Sequence, residues 1–262
     1  GIGGECLERR TQEGGALLER WRLRLNREQD VPALLLRPPG GIAPRGVVLY
    51  CHAHGHRFEV GKDELLVGRP ALQSPPYGPA LTARGWAVLA IDHWGFGERQ
   101  VPSERALVKR LLWQGCTLWG WRVHDTLAAL DWLRVQPGLA ALPVVTLGLS
   151  MGATMALWSA ALEPSIAGCI DLCATAEYDA LLASGGFDLH GEYFFVPGLL
   201  REFTLAEIAA LIAPRPHLSF AGRTDPLTPP AGLDTLDKAL QAAYGSLGAP
   251  AAWHHEVSDG GH

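Results

Sequence analysis

The feature that most constrains the fold is a serine flanked by glycines, at the junction of a β-branched run and an alanine-rich run. Residues 148–152 (Gly-Leu-Ser-Met-Gly) follow the apolar run 143–147 and precede the helix-forming run 153–162. Glycines around a sharp strand-to-helix turn leave room for the adjoining strand and helix, while the turn pushes the serine hydroxyl out of the sheet. The pattern predicts a nucleophile elbow at Ser150. An ordinary glycine-rich turn is the alternative, because 31 glycines in 262 residues make chance matches common.

The order of the other segments predicts an α/β fold. Short, fully apolar runs alternate with helical segments, as in a mostly parallel central sheet with helices on both faces. Two earlier segments, 21–26 and 31–37, predict an edge hairpin. The remaining predicted strands are 46–51, 86–91, 143–147, 166–173, 216–221 and 251–257, and the predicted helices are 78–84, 119–135, 153–162 and 231–244. No internal repeat interrupts this order, so we expect a single domain over residues 1–262.

An aromatic stretch separates two of the predicted strands. Residues 175–204 show no clear periodicity and contain Tyr193 and Phe194. An insertion at this point would lie over the carboxyl edge of the sheet, where open α/β sheets bind ligands. It predicts a short lid or pocket wall with these two rings facing a substrate. An aromatic plug packed on the sheet is an equally weighted alternative.

Charge and cysteine usage exclude several classes of protein. The formal net charge is -5 and the basic residues are scattered, so we expect no nucleic-acid partner. No window of about 18 uncharged apolar residues predicts a membrane span, and the first residues do not resemble a signal peptide. Five cysteines, mostly in apolar runs, are typical of reduced, buried thiols, which favours a cytoplasmic location.

Two further residues that could form a catalytic triad with Ser150 follow predicted strands. Asp225 comes directly after the strand 216–221, in a loop that contains three prolines. His262 follows the last strand and a Gly-Gly pair. A carboxylate could fix the tautomer of the histidine, and the histidine could then take the proton of Ser150. His254 and His255 are the alternative bases. Because neighbouring strand residues face opposite ways, at most one of them could face the site.

The histidine-rich loop after the strand 46–51 predicts an oxyanion hole. In a strand-to-loop turn of this kind we expect the backbone N–H of His54 to act together with that of Met151. His52, His54 and His56 alternate along the chain, so a zinc site is an alternative. A structural role for His52 is the more conservative interpretation. We expect no metal and no cofactor.

A glycine-containing loop follows the strand 86–91 at the same sheet edge. Residues 92–99 have the form D-x-x-G-x-G, and Trp94 and Phe96 lie within it. We expect Trp94 to line the substrate pocket. Glycines of such a loop more often serve a tight turn.

Together these motifs resemble those of the α/β-hydrolase superfamily, and within it dienelactone hydrolase-like and acetyl xylan esterase-like members. The resemblance extends from about Val31 to the end of the chain and includes Ala-Pro-Arg-Pro at 213–216. Ala53 and Ala153 depart from it, since many relatives have glycine there. Dienelactone hydrolases proper use a cysteine nucleophile, so Ser150 favours ester hydrolysis. The resemblance implies a small-molecule ester substrate and an acyl-enzyme intermediate.

Two other functions fit the same residues. The prolyl-oligopeptidase group shares the triad and topology, so a peptidase or amidase is one alternative, although the large N-terminal propeller of that group is missing. A binding protein on a hydrolase fold that has lost activity is the other. It is favoured if His262, as the last residue of the sequence, is too mobile to act as a base.

Overall fold

The apolar runs in the middle of the chain form the parallel part of a large mixed sheet. In a computed structural model that describes residues 2–174 and 176–262, nine strands form one sheet in the order β1-β2-β3-β5-β4-β6-β7-β8-β9. β1, β2, β3 and β5 pair antiparallel, and the remaining pairs are parallel. The strands are β1 Gly3–Thr11, β2 Leu17–Arg24, β3 Val31–Arg37, β4 Val47–Cys51, β5 Ala87–Ile91, β6 Val144–Leu149, β7 Gly168–Leu172, β8 His217–Gly222 and β9 Trp253–Ser258.

Helices connect these strands and pack on the sheet. They are α1 Glu64–Val67, α2 Tyr77–Thr82, α3 Glu104–Trp113, α4 Leu118–Leu133, α5 Met151–Leu162, α6 Tyr178–Ser184, α7 Leu199–Glu202, α8 Leu205–Ala210 and α9 Pro230–Ser246. None of the helices in the described ranges is long and apolar enough to cross a membrane. The mostly parallel α/β architecture predicted from the sequence is confirmed.

Both faces of the sheet are buried at its centre, which explains why β4 and β5 are apolar throughout. In β4, Val47 and Leu49 contribute to the larger core cluster, whereas Val48 and Tyr50 contribute to the cluster on the other face. Alternate residues of a strand point to opposite faces. A strand buried on both faces therefore has no polar alternation.

The predicted edge hairpin is wrong in its outer strand. β2 begins at Leu17 and pairs with β1, so β1 forms the edge of the sheet. β1 carries charged side chains that pair across to β2, including Arg9 with Glu19 at 3.0 Å and Glu8 with Arg20 at 3.3 Å. Charged residues are typical of edge strands. Because of these charged residues, β1 lacks the apolar pattern by which a strand is recognised in a sequence.

The connection between β7 and β8 contains the segment predicted to be an insertion. It holds α6, α7 and α8, with two 3-10 turns at Gly186–Leu189 and Glu192–Phe194. Thr175, the first residue of the predicted range, lies outside the described residues. These helices have four to seven residues, which is too short for a helical period to be recognised in the sequence. The connection lies at the carboxyl end of β7.

Candidate active site

Ser150 lies at the turn between β6 and α5 in a strained conformation. Its backbone angles are φ 57° and ψ −121°, in the left-handed region that residues with a side chain rarely adopt. The turn is held from both sides. The Ser150 N–H donates to the carbonyl oxygen of Leu172 at 2.8 Å, and the Thr154 N–H donates to the carbonyl of Ser150 at 3.0 Å. The strain is therefore maintained by hydrogen bonds to β7 and within α5.

The glycines at either side of Ser150 allow two backbones to approach closely. A Cβ atom on Gly148 would lie 2.2 Å from the carbonyl oxygen of Gly152. A Cβ atom on Gly152 would lie 2.0 Å from the carbonyl oxygen of Cys51, at the end of β4. Both obstacles are backbone atoms, which cannot rotate away. The start of α5 thus packs directly against the end of β4.

The carboxylate of Asp225 is buried just after β8, and the chain around it supplies hydrogen bonds. Asp225 is 3% exposed, and its Oδ1 accepts the N–H of Leu227 at 2.8 Å. Burial alone raises the pKa of this carboxyl. The hydrogen bond with His262 and that from the Leu227 N–H lower it by more, so the pKa lies below its ordinary value of 3.8. Asp225 is therefore ionised at neutral pH.

His262 lies between Asp225 and Ser150. Its Nδ1 is 2.7 Å from Asp225 Oδ2, and its Nε2 is 2.7 Å from Ser150 Oγ. Since the Asp225 carboxylate can only accept, Nδ1 carries the proton and Nε2 accepts the serine hydroxyl. An unbroken chain of hydrogen bonds therefore runs from the carboxylate to the serine.

The loop that carries His262 is tied to the loop after β8. The carbonyl of Gly260 accepts the Thr224 N–H at 3.0 Å and the Thr224 hydroxyl at 2.9 Å. A Cβ atom on Gly222 would lie 2.1 Å from the carbonyl of Gly261, which shows how closely the two loops pack. These contacts hold the imidazole in place. The alternative bases, His254 and His255, lie on β9 and do not line the cavity at Ser150.

A cavity of about 240 Å³ opens above the serine. The segment between β7 and β8 forms one side of it, and Tyr193 and Phe194 both line it, as do the proposed oxyanion-hole residues. Trp119 of α4 also lines the cavity, although no sequence motif predicts it there. The lining residues are His54, Gly55, His56, Trp119, Ser150, Met151, Thr154, Ala174, Leu189, His190, Gly191, Tyr193, Phe194, Leu227 and His262.

The two residues predicted to form the oxyanion hole, His54 and Met151, both line this cavity. Within the described residues the N–H of His54, in the loop after β4, makes no hydrogen bond. Met151 is the first residue of α5, where an N–H has no partner within the helix. The positive end of the helix dipole would favour a negative charge at the same place.

The three alternating histidines contact different groups. His52 is fully buried, and its Nε2 accepts the N–H of His93 at 3.3 Å. His54 Nε2 lies 3.0 Å from the carboxylate of Glu104, and His56 contacts His54 edge to face. Their rings therefore do not converge as three ligands of one zinc ion. The contacts of His52 agree with the conservative, structural interpretation.

Trp94 does not line the cavity, so this prediction is wrong. Its ring is 2% exposed in the core, and its Nε1–H donates to Asp125 Oδ2 at 2.8 Å. The loop after β5 turns inward because its carboxylate, Asp92, accepts the backbone N–H of Lys62 at 2.8 Å and that of Glu98 at 3.0 Å. This compact turn directs the indole towards the core.

A largely buried ion pair, which none of the sequence motifs predicts, lies behind the cavity wall. Arg122 is fully buried in α4, and its Nη2 lies 2.7 Å from Glu104 Oε2. Glu104 in turn contacts His54, and Arg122 Nη1 lies 3.3 Å from the sulfur of Met151. The guanidinium also lies 4.9 Å from the centre of the Tyr193 ring. An arginine within an otherwise apolar stretch of helix was the signal that could have identified it.

Comparison with solved structures identifies the fold. The chain superposes on a protein titled "putative acetyl xylan esterase" from Bacteroides fragilis NCTC 9343 with a TM-score of 0.76, at 19% identity over 98% of this chain and 70% of the other. For a glucuronoyl esterase from Solibacter usitatus the TM-score is 0.70, at 13% identity over 100% and 82%. For a protein titled "Putative Dienelactone Hydrolase" from Klebsiella pneumoniae it is 0.61, at 16% identity over 100% and 88%. The chain therefore has the α/β-hydrolase fold.

A relative with a similar sequence shows the family of this chain. No protein-family model matches the chain. It is, however, 39% identical over 246 residues to the "Putative hydrolase YtaP" of Bacillus subtilis (strain 168), which covers 94% of this chain and 82% of the relative. The chain therefore belongs to the same family as this Bacillus protein.

Removing the guanidinium behind the cavity is expected to destabilise the protein strongly. In Arg122→Met the Glu104 carboxylate loses its cationic partner in a buried position, and breaking such a pair costs about 3–5 kcal/mol. Urea unfolding measures this loss of unfolding free energy. Arg105→Met, an exposed position next to Glu104, is the matched control and should lose less than about 1 kcal/mol. Equal losses in the two variants would contradict the prediction.

Two buried imidazoles are expected to make stability depend on pH. Burial lowers the pKa of His52 from 6.5 to about 4, and burial also lowers the pKa of His93 well below 6.5. Below pH 6.5 the unfolded chain binds protons that the native state does not, so stability falls as the pH falls towards 4. For His52 the loss is about 3 kcal/mol.

The measurement is the unfolding free energy of wild type and His52→Asn between pH 7.5 and 4.5. Asparagine can donate and accept as His52 does but does not titrate, so the decrease should be smaller in the variant. Parallel curves would show that His52 does not contribute to the pH dependence.

Proposed function

We propose that this protein is a serine hydrolase of carboxylic esters. Ser150 is the nucleophile, His262 the general base and Asp225 the residue that orients the imidazole. The observation that carries the proposal is the pair of 2.7 Å contacts that join these three side chains at the floor of one cavity. The strained backbone of Ser150 adds support, because it exposes the hydroxyl at the start of α5.

In the acylation step, Ser150 Oγ attacks the carbonyl carbon of the ester. As the Oγ–C bond forms, the hydroxyl proton passes to His262 Nε2, and the carbonyl oxygen gains the negative charge. The N–H groups of His54 and Met151 stabilise this oxyanion. The C–O bond of the ester then breaks, and His262 returns the proton to the departing alcohol.

A water molecule completes the cycle. His262 Nε2 takes a proton from the water while the water oxygen attacks the acyl carbon. The same proton passes to Ser150 Oγ when the bond between Oγ and the acyl carbon breaks. Asp225 stays ionised throughout because its pKa is depressed. Its charge stabilises the imidazolium that forms in both steps.

Relatives and the dimensions of the cavity support an ester as the substrate. The Bacillus relative is named "Putative hydrolase", and two structural neighbours are titled "putative acetyl xylan esterase" and "Glucuronoyl Esterase". The cavity of about 240 Å³ has aromatic and aliphatic walls, which suits a small acyl group. We further propose that residues 1–262 act as one catalytic domain and that the segment 175–204 serves as its pocket wall.

Labelling of the nucleophile tests the proposal. A fluorophosphonate probe should label the wild type and should not label Ser150→Ala. Equal labelling of both proteins would exclude Ser150 as the nucleophile. In Asp225→Asn the histidine loses its orienting charge, so kcat for p-nitrophenyl acetate should fall by about 10⁴-fold. Arg223→Gln, which changes an exposed residue of the same loop, is the control and should retain turnover close to that of the wild type.

The choice of leaving group separates an esterase from a peptidase. We expect p-nitrophenyl acetate to be cleaved faster than an aminoacyl p-nitroanilide, because the proposed reaction expels an alcohol or phenol and not an amine. The released p-nitrophenolate and p-nitroaniline are both followed by their absorbance. Faster cleavage of the anilide would favour the peptidase alternative. A wild type that is folded but neither labelled nor active would favour the binding protein.

A further inference from the structure

A second cavity lies beside the first, within the connection between β7 and β8. Its volume is about 330 Å³. Most of its lining side chains are apolar, including those of Tyr178, Phe187, Phe195, Val196, Leu199 and Leu200. The catalytic mechanism uses none of these residues. An apolar concavity of this size is typical of a binding site for an apolar group.

Phe194 lines both cavities. Among the residues of the catalytic cavity, its ring centre lies 5.1 Å from the ring of His190 and 5.9 Å from that of Tyr193. Among the residues of the second cavity, it lies 4.5 Å from the ring of Phe195 and 6.2 Å from that of Tyr178. Phe194 is only 8% exposed. Its ring therefore lies between the linings of the two cavities.

Backbone structure and packing fix the position of this ring. Phe194 ends the 3-10 turn Glu192–Phe194, and the chain continues extended at Phe195. Tyr193, one residue earlier in the turn, stacks on His54 with 4.9 Å between ring centres. The Phe194 ring is therefore placed by the same turn that contacts the proposed oxyanion loop.

We propose that Phe194 is a specificity-determining partition between the two cavities, which limits the ester to a short group and excludes longer alkyl or aryl groups from the second cavity. This inference rests on the proposed function. With the ring in place, the catalytic cavity accommodates a short group only. Without it, a longer apolar group extends from the serine into the second cavity. Each methylene buried there should raise kcat/KM by about fourfold.

Substitution of Phe194 tests the inference through a ratio of activities. For wild type, Phe194→Ala and Phe194→Leu, kcat/KM is measured with p-nitrophenyl acetate, butyrate and octanoate. The octanoate-to-acetate ratio should rise at least tenfold in Phe194→Ala and by a smaller factor in Phe194→Leu. Phe203→Ala is the matched control, because Phe203 lies in the same connection, is 54% exposed and lines neither cavity. Its ratio should stay within about twofold of that of the wild type.

Refilling the second cavity distinguishes a bound chain from a general loosening of the site. Leu199→Trp adds a large side chain to the far wall. In the double variant Phe194→Ala/Leu199→Trp the ratio should return towards the wild-type value. A parallel series of acetate esters with ethyl, benzyl and naphthyl alcohols shows which side of the ester enters. An increase in the acyl series assigns the cavity to the acyl chain, and an increase in the alcohol series assigns it to the alcohol group.

Three results would overturn the inference. One is an unchanged ratio in both series for both Phe194 variants while acetate is still hydrolysed, which leaves the proposed function intact. Another is a raised ratio that Leu199→Trp does not reverse. The third is a wild type that is neither labelled by fluorophosphonate nor active on any ester, which removes the proposed function and this inference together.

Discussion

The close approach of two backbones at the elbow is the constraint on which the rest of the site depends. Gly152 lies so near the carbonyl of Cys51 that only a hydrogen atom fits between them. This contact places the start of α5 against the end of β4. As a consequence, the Ser150 hydroxyl, the Met151 N–H and the loop that carries His54 meet at one cavity. The strained φ of Ser150 is the conformational cost of that arrangement.

Around this contact, charged groups hold together structural elements that come from distant parts of the chain. The Glu104–Arg122 pair connects α3 and α4 to His54 and Met151, which belong to two other elements. Buried ion pairs contribute little net stability compared with apolar residues of equal volume. Their effect here is geometric, since each charge must keep its partner and so keeps the cavity wall in one arrangement. The hydrogen bonds between the loops after β8 and β9 do the same for His262.

The sequence was sufficient for the parts of the fold whose residues carry a local signal. The central strands β4 and β5 are apolar because both faces of the sheet are buried there, and runs of that kind can be recognised without coordinates. β1 was missed because an edge strand exposes charged side chains. The position of Trp94, after a strand at the correct sheet edge, predicts that its ring lines the pocket. Its actual direction depends on Asp92, which accepts N–H groups from two separate segments, and no local pattern contains that information.

The sequence by itself determined the order of the strands β2 to β9, the elbow and the candidates Ser150, Asp225 and His262, because glycine spacing and the positions after apolar strands are local properties of the chain. Only the tertiary structure decided that His262 lies within 2.7 Å of both partners, that Arg122 and Glu104 lie behind the wall, and that Phe194 lines two cavities. These relations join residues up to 112 positions apart. Packing and the pairing of buried charges fix them, and both act on the folded chain as a whole.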